Sequence, residues 1–123
     1  MPSLTNAALS DVERRVLDRA IGLLEGEFGP DLRGVWLYGS RARGERRHPD
    51  SDVDVLVVTT NGDFDDLGRV ITLLHRAAYA EGANPAGFSA QVYSPERLAQ
   101  RRKIKSFFIQ EVDRDKIVLA GGP

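Results

Sequence analysis

The chain has 123 residues, the size of one domain with a single hydrophobic core, and a formal net charge of −1, which excludes a general electrostatic attraction to nucleic acid. It contains no cysteine, which excludes disulfides and thiolate metal sites, and no apolar run long enough to span a membrane. The first residues carry no apolar segment typical of a secretion signal. We therefore expect one cytoplasmic domain over residues 1–123, with residues 1–9 as a loose arm.

Helical and strand-like patterns alternate along the chain. Ser10 and Glu13 form a capping-box pattern, and a strong N-cap followed by proline stands at Ser94–Pro95. The predicted elements are, in order, a helix at about Asp11–Glu27, a strand at Gly34–Tyr38, a helical turn at Ser40–Glu45, a strand at Asp52–Thr59, a helix from Asp63 or Asp65 to Ala80, a strand at Phe88–Tyr93, a helix from Pro95 to Gln100, a helix at Lys105–Val112 and a strand at Lys116–Ala120. This order predicts an α/β fold, with a small mixed sheet of about four strands and helices packed on it.

Two aspartates stand at the start of the second predicted strand. Asp52 and Asp54 are two positions apart, so alternation along the strand places their side chains on one face. Two neighbouring carboxylates repel each other, and burying them unpaired is costly unless a cation relieves the repulsion. Mg²⁺ prefers carboxylate oxygens, water and substrate phosphates as ligands. The pair therefore predicts a magnesium site, although acidic residues capping a surface strand would give the same pattern.

A glycine–serine pair ends the first predicted strand. Gly39 allows the backbone to approach a phosphate closely, and the Ser40 hydroxyl and neighbouring N–H groups can bind phosphate oxygens. An ordinary strand-to-helix turn with serine as the cap would use the same residues. Metal carboxylates beside a phosphate-binding turn favour phosphoryl or nucleotidyl transfer, in which catalysis is mostly positioning and charge stabilisation.

Gly39–Ser40, eleven intervening residues and then Asp52-x-Asp54 together resemble the signature of the DNA polymerase β-like nucleotidyltransferase superfamily. The local sequence GSRARG…SDVDVLV is most similar to the minimal nucleotidyltransferases, small bacterial proteins often paired with a HEPN-domain protein. The resemblance extends from Val35 to about Val118. It implies the palm-like nucleotidyltransferase core, without an added substrate domain.

The resemblance also implies an activity. A nucleoside monophosphate would pass from an NTP, with ATP expected first, to an acceptor hydroxyl with Mg²⁺ as cofactor and pyrophosphate as product. Basic groups just after the glycine–serine pair help to hold the triphosphate in the family, although an arginine-rich loop is often only a solvated surface. The implied residues are Asp52 and Asp54 for catalysis and metal binding, and Gly39, Ser40, Arg41 and Arg43 for the nucleotide.

One feature departs from the family pattern. Members that act on a hydroxyl usually carry a third carboxylate on a later strand, where it helps to bind a second metal and to deprotonate the acceptor. The matching strand here, Phe88–Tyr93, contains no aspartate or glutamate. Ser89 and Gln91 share one face of it, and we expect Gln91 to occupy the place of the third carboxylate. The two-metal site is therefore expected to be incomplete.

Three functions remain open from the sequence. The first is the transferase, whose acceptor the resemblance suggests is a tyrosine of a HEPN toxin, which would make the chain an antitoxin. The second is a catalytically weak or inactive nucleotide-binding module that neutralises its partner by contact. The third is a small-molecule, aminoglycoside-type nucleotidyltransferase, which would need a partner or a second copy to complete the acceptor pocket. Homo-oligomers are compatible with each function, whereas a nucleic-acid partner is disfavoured because the basic clusters are small and lack interleaved aromatics.

Overall fold

A computed structural model describes residues 7–45 and 51–123 of the chain. Most of the arm expected at residues 1–9, and most of the loop expected after Glu45, lie outside the described residues. The elements are, in order, α1 (Asp11–Phe28), β1 (Leu32–Tyr38), α2 (Gly39–Ala42), β2 (Val53–Thr59), α3 (Phe64–Ala80), β3 (Phe88–Tyr93), α4 (Pro95–Lys103), α5 (Phe107–Asp115) and β4 (Ile117–Gly121).

Side-chain caps define the starts of the long helices. At α1 the Ser10 hydroxyl accepts from the Glu13 amide and the Glu13 carboxylate accepts from the Ser10 amide, which confirms the predicted capping box. Asp63 caps α3 by accepting from the Asp66 amide, and Ser94 caps α4 by accepting from the Arg97 amide. Each of these bonds satisfies a backbone donor that has no partner within its helix.

The turn between α4 and α5 differs from the predicted one. The expected helices ended at Gln100 and began at Lys105, whereas α4 continues to Lys103 and α5 begins at Phe107. Lys105 adopts φ +55°, a left-handed conformation, and the Ser106 hydroxyl caps α5 by accepting from the Ile109 amide. The sequence predicted a break between the two helices but not its position, because the apolar pattern does not reveal a left-handed lysine.

The four strands form one mixed sheet in the order β3-β2-β1-β4. Strand β1 pairs antiparallel with both β2 and β4, whereas β2 pairs parallel with β3. The mixed four-stranded sheet predicted from the sequence is therefore confirmed. The two central strands are β1, which leads directly into the glycine–serine pair, and β2, which begins at the aspartates.

Each face of the sheet supports a separate hydrophobic core. Helices α1 and α3 cover one face, and their side chains pack against Val35, Leu37, Val55 and Val57. Helices α4 and α5 cover the other face, where Trp36, Leu56 and Val58 contact the buried residues Leu98, Ile109 and Val112. Because side chains alternate along a strand, Asp54 shares the second face with Leu56 and Val58. The predicted site therefore opens towards α4 and α5.

Candidate active site

The structure places Asp54 between two neighbouring strands. In the β1–β2 register Asp54 lies opposite Tyr38, and in the β2–β3 register it lies opposite Ser89. Asp52 precedes the strand and is half-buried, as Asp54 is. The sheet thus fixes one carboxylate firmly from both sides, and the second stands at the edge where the strand begins.

The glycine–serine turn lies close to this carboxylate. Gly39 adopts φ +79°, and a Cβ atom built on it would stand 2.6 Å from Asp54 Oδ2. A side chain at position 39 is therefore disfavoured twice, by the backbone conformation and by the carboxylate. Gly39 and Asp54, which belong to the two halves of the sequence motif and lie fifteen positions apart along the chain, are thus close neighbours in the fold.

Ser89 provides the hydrogen-bond partner of Asp54. Its hydroxyl donates to Asp54 Oδ1 over 2.6 Å. Burial raises the pKa of the Asp54 carboxyl above its ordinary value; the Ser89 hydrogen bond opposes this shift, the charge of Asp52 adds to it and that of Arg41 opposes it. Ionisation of Asp54 is thus less favourable than that of an aspartate in water, and a bound cation would favour the ionised form.

A cavity of about 270 Å³ opens between α2, α5 and the end of β1. It is lined by Tyr38, Gly39, Ser40, Arg43, Asp54, Phe108, Glu111, Val112 and Asp115. Burial and the charge of Asp54 raise the pKa of the Tyr38 hydroxyl, so it stays protonated and can donate a hydrogen bond. This cavity collects Ser40, Arg43 and Asp54, which the sequence analysis assigned to one site.

Asp52 faces a second cavity, of about 460 Å³. Its walls come from the start of α1, the segment before β3 and the residues around Ser51; they include Glu13, Arg41, Asn84 and Phe88. Asp52 thus lines one cavity and Asp54 the other, and of these two cavities the one at Asp54 contains the glycine–serine turn.

Arg41 departs from the phosphate contact expected of it. Its side chain is only 1% exposed, and its guanidinium donates to the Glu13 carboxylate at 2.8 Å and to the Ala8 carbonyl at 3.1 Å. It also donates to the hydroxyl and the carbonyl of Ser51 at 3.1 and 2.9 Å. These bonds tie α1 to the segment just before Asp52, so in this arrangement Arg41 positions the site.

Arg43 is the expected arginine that lines the cavity with Gly39 and Ser40. Its side chain is about one-third exposed, and its guanidinium pairs with Glu45 at 2.6 Å and with Asp115 at 2.9 Å. These two carboxylates raise the pKa of Arg43 and orient its guanidinium. Asp115 comes from α5, which the sequence analysis did not connect with the site.

The place beside Asp54 is occupied by Ser89, which corrects the expectation for Gln91. Gln91 pairs with Leu56, one step of two residues further along β3, and its side chain is exposed. Two residues along a strand span roughly 6.6 Å, too far for the Gln91 amide to take the position next to Asp54. The sequence showed which face the two side chains share, but the register of the parallel strands decides between them.

Residues 24–119 of the chain match the family model described as the nucleotidyltransferase domain. The chain belongs to this family. Two crystal structures of the toxin–antitoxin MntA-HpeT have chains with the same fold, although the identity is only 18% in both. One is a mutant with two aspartates replaced by glutamates, which matches with a TM-score of 0.53 over 83% of this chain and 71% of that chain.

The second is a mutant with a tyrosine replaced by alanine, which matches with a TM-score of 0.52 over 85% of this chain and 72% of that chain. At this identity the likeness supports the nucleotidyltransferase fold alone. No curated protein matches the sequence. Within residues 7–45 and 51–123, no helix is long and apolar enough to cross a membrane.

This nucleotidyltransferase domain has a further group of carboxylates away from the two aspartates. Oxygens of Asp63, Asp65 and Asp66 lie within 4.8 Å of one another at the start of α3. Asp63 caps the helix, and Asp66 is engaged by the Thr59 hydroxyl at 2.7 Å and by Arg69 at 3.0 Å. The cluster is accounted for by helix capping and these contacts, so it is not a rival to the site at Asp54.

Proposed function

We propose that the chain transfers a nucleoside monophosphate from an NTP, with ATP expected first, to a hydroxyl group of a partner protein in the cytoplasm. The close approach of Gly39 to Asp54 Oδ2 carries this proposal, because it would join a phosphate-binding turn to a metal-binding carboxylate. Membership of the nucleotidyltransferase family supports the reaction class.

The oxygen donors of the site suit a hard cation. Asp52 and Asp54 would hold Mg²⁺, which when bound supplies positive charge beside the phosphates. Gly39 leaves room for the triphosphate, the Ser40 hydroxyl can donate to a phosphate oxygen, and Arg43 presents a cation in the same cavity. The acceptor oxygen bonds to the α-phosphorus and the bond to the bridging oxygen breaks, so pyrophosphate leaves.

We further propose that the partner is a HEPN-type toxin modified on a tyrosine, and that the chain acts as its antitoxin. The fold shared with a chain of the toxin–antitoxin MntA-HpeT supports this role. The first neighbour's name records two aspartates, two positions apart, changed to glutamate, and Asp52 and Asp54 have the same spacing.

One observation favours a second candidate, in which the chain neutralises its partner by contact alone. Ser89 occupies the place beside Asp54, and a serine hydroxyl cannot act as a base at neutral pH. The acceptor proton must then pass to another group, or transfer must be slow. The two candidates share nucleotide and metal binding but differ in turnover.

Isothermal titration calorimetry with a non-hydrolysable ATP analogue, with and without Mg²⁺, tests the site. We expect Mg²⁺-dependent binding that disappears in the Asp52→Asn/Asp54→Asn variant. Asp31→Asn is a matched control because Asp31 lies before β1 and bonds only to Thr60 in the described structure. Binding that persists in the double variant, or that does not depend on Mg²⁺, would contradict the proposed site.

Transfer is measured next, with α-labelled ATP and the co-purified partner. Label on the partner that depends on Asp54 supports the transferase, whereas nucleotide binding without any label supports neutralisation by contact. The two measurements therefore separate the candidates even if both proteins bind each other tightly.

A further inference from the structure

The turn between α4 and α5 exposes two large apolar side chains. Ile104 is 62% exposed and Phe107 is 75% exposed, three positions apart and on either side of the turn. We call residues 101–107 the α4–α5 tip. Single exposed apolar residues are common on protein surfaces, but two at one turn form a patch that water solvates poorly.

The turn that exposes these two side chains is held by backbone hydrogen bonds. Lys105, at φ +55°, is the one non-glycine residue of positive φ among the described residues. The Lys105 amide donates to the Arg102 carbonyl at 3.1 Å, and the Ser106 amide donates to the Arg101 carbonyl at 2.9 Å. A left-handed residue other than glycine costs about 1 kcal/mol, so these bonds maintain a conformation that the sequence alone disfavours.

Basic side chains surround the apolar pair. Arg101, Lys103 and Lys105 are exposed, and within residues 7–45 and 51–123 no carboxylate forms an ion pair with them. Arg102, by contrast, is paired with Asp113 at 2.8 Å. The tip is thus an apolar centre within a positively charged rim, and the complementary surface is an apolar cleft within an acidic rim.

The tip adjoins the cavity that contains Asp54. Phe108, next to Phe107 on α5, lines this cavity together with Glu111 and Asp115. The Phe108 ring also packs edge-on against Tyr38, with ring centroids 5.6 Å apart. One helix therefore presents Phe107 outwards and Phe108 to the site, so a protein seated on the tip lies at the entrance of the cavity.

We propose that the α4–α5 tip is the docking surface for the protein that carries the acceptor hydroxyl, and that this protein presents an apolar cleft with an acidic rim. The identity of the docked protein as the acceptor rests on the proposed function. The docking itself rests on exposure, charge and position, and it can be measured separately.

Site-specific photocrosslinking in the host cell tests the docking. The photoreactive residue p-benzoylphenylalanine replaces Phe107 in one version of the chain and Phe64 in another. Phe64 is a matched control because it is 88% exposed and stands on α3, on the other face of the sheet. We expect one acidic protein to crosslink from position 107 and not from position 64. No crosslink from position 107, or a crosslink to lipid, RNA or a second copy of the chain, would overturn the proposal.

The captured protein is then purified and mixed with the chain. We expect Lys103→Glu/Lys105→Glu to weaken binding at least tenfold, because both substitutions oppose the acidic rim, and α-labelled ATP to label the protein through the unsubstituted chain. Arg76→Glu, at an exposed position on α3, is a control that changes the charge in the same direction. Equal affinity in the Lys103→Glu/Lys105→Glu variant contradicts the docking. Tight binding without label leaves the docking in place and contradicts the transferase.

Discussion

The hydroxyl group of Ser89 donates a hydrogen bond to Asp54 Oδ1 across 2.6 Å, from a strand that runs parallel to that of the aspartate. Related enzymes that act on a hydroxyl place a carboxylate in this region. Here a neutral donor, and not a third carboxylate, is the hydrogen-bond partner of Asp54 on the neighbouring strand.

Replacing Ser89 with aspartate is expected to increase transfer. The new carboxylate would lie beside Asp54, where it could accept the acceptor proton and bind a second cation. We expect at least a tenfold rise in the rate of α-labelled ATP transfer at saturating Mg²⁺, and a loss of about 1 kcal/mol in the metal-free stability, since like charges repel.

Gln91→Asp is the matched control for this substitution. It adds the same charge to the same face of β3, but opposite Leu56 and on an exposed side chain. We expect little change in transfer or stability. Equal activation by both substitutions would mean that the added charge acts at long range, and it would contradict the role assigned to the place of Ser89.

Gly39→Ala is expected to damage both the fold and the site. The left-handed backbone and the Cβ contact with Asp54 together should cost about 1–3 kcal/mol of unfolding free energy in urea titrations. Mg²⁺-dependent binding of the ATP analogue should fall at least tenfold because the carboxylate must move. Gly26→Ala, in open space on α1, should instead be neutral or stabilise by up to about 1 kcal/mol.

Substitution of Arg41 is expected to lower stability, whereas substitution of Arg43 is expected to weaken nucleotide binding. Arg41→Lys loses the planar set of donors that joins Glu13, Ala8 and Ser51, so we expect a loss of about 3 kcal/mol in thermal or urea unfolding. Arg43→Lys, at a partly exposed position, should change stability by less than about 1 kcal/mol. It should weaken binding of the nucleotide analogue several-fold. The reverse pattern would assign the phosphate contact to Arg41.

The raised pKa of Asp54 gives a pH dependence with a definite sign. Burial raises the pKa of Asp54 in the folded state above its value in the unfolded state, so the folded state binds the proton more tightly. The contribution of Asp54 to the free energy of unfolding therefore falls as the pH rises from the unfolded-state pKa through the folded-state pKa. Asp54→Asn should therefore stabilise the metal-free protein at pH 7, by less than about 1 kcal/mol because the side chain is half exposed.

Urea unfolding of the two proteins from pH 3 to pH 7 measures this difference. Other carboxylates titrate in both proteins, so their contributions cancel when the unfolding free energies are subtracted at each pH. The difference should approach zero below the ordinary aspartate pKa of about 3.9. A gain for the asparagine protein that is largest at pH 3 would contradict the sign.

Local sequence signals predicted most of the fold. The capping box at Ser10 and the serine–proline pair before α4 predicted the starts of two helices, because both signals depend on hydrogen bonds between residues three positions apart. Strand β3 has the predicted bounds, since its apolar run is flanked by turn residues. A break between α4 and α5 was predicted, but it lies at residues 104–106 and not at 101–104, because a left-handed lysine has no sequence signature.

The site was predicted by motif, but the roles within it depend on distant contacts. Arg41 and Arg43 have the same chemistry and lie two positions apart. Their partners, Glu13 for one and Asp115 for the other, are 28 and 72 positions away. Ser89 and Gln91 likewise differ only by the register of two parallel strands. Such choices depend on the assembled sheet, which no local pattern encodes.

The central position of β1 has a consequence for the order of events during synthesis. Its outer neighbour β4 lies more than seventy residues later, and the Trp36 indole donates to the Gly122 carbonyl at 2.8 Å. Strand β1 thus remains an open edge until residues 117–122 have left the ribosome. As Trp36 is the single tryptophan and bonds to Gly122, we expect its fluorescence to change when β4 pairs with β1.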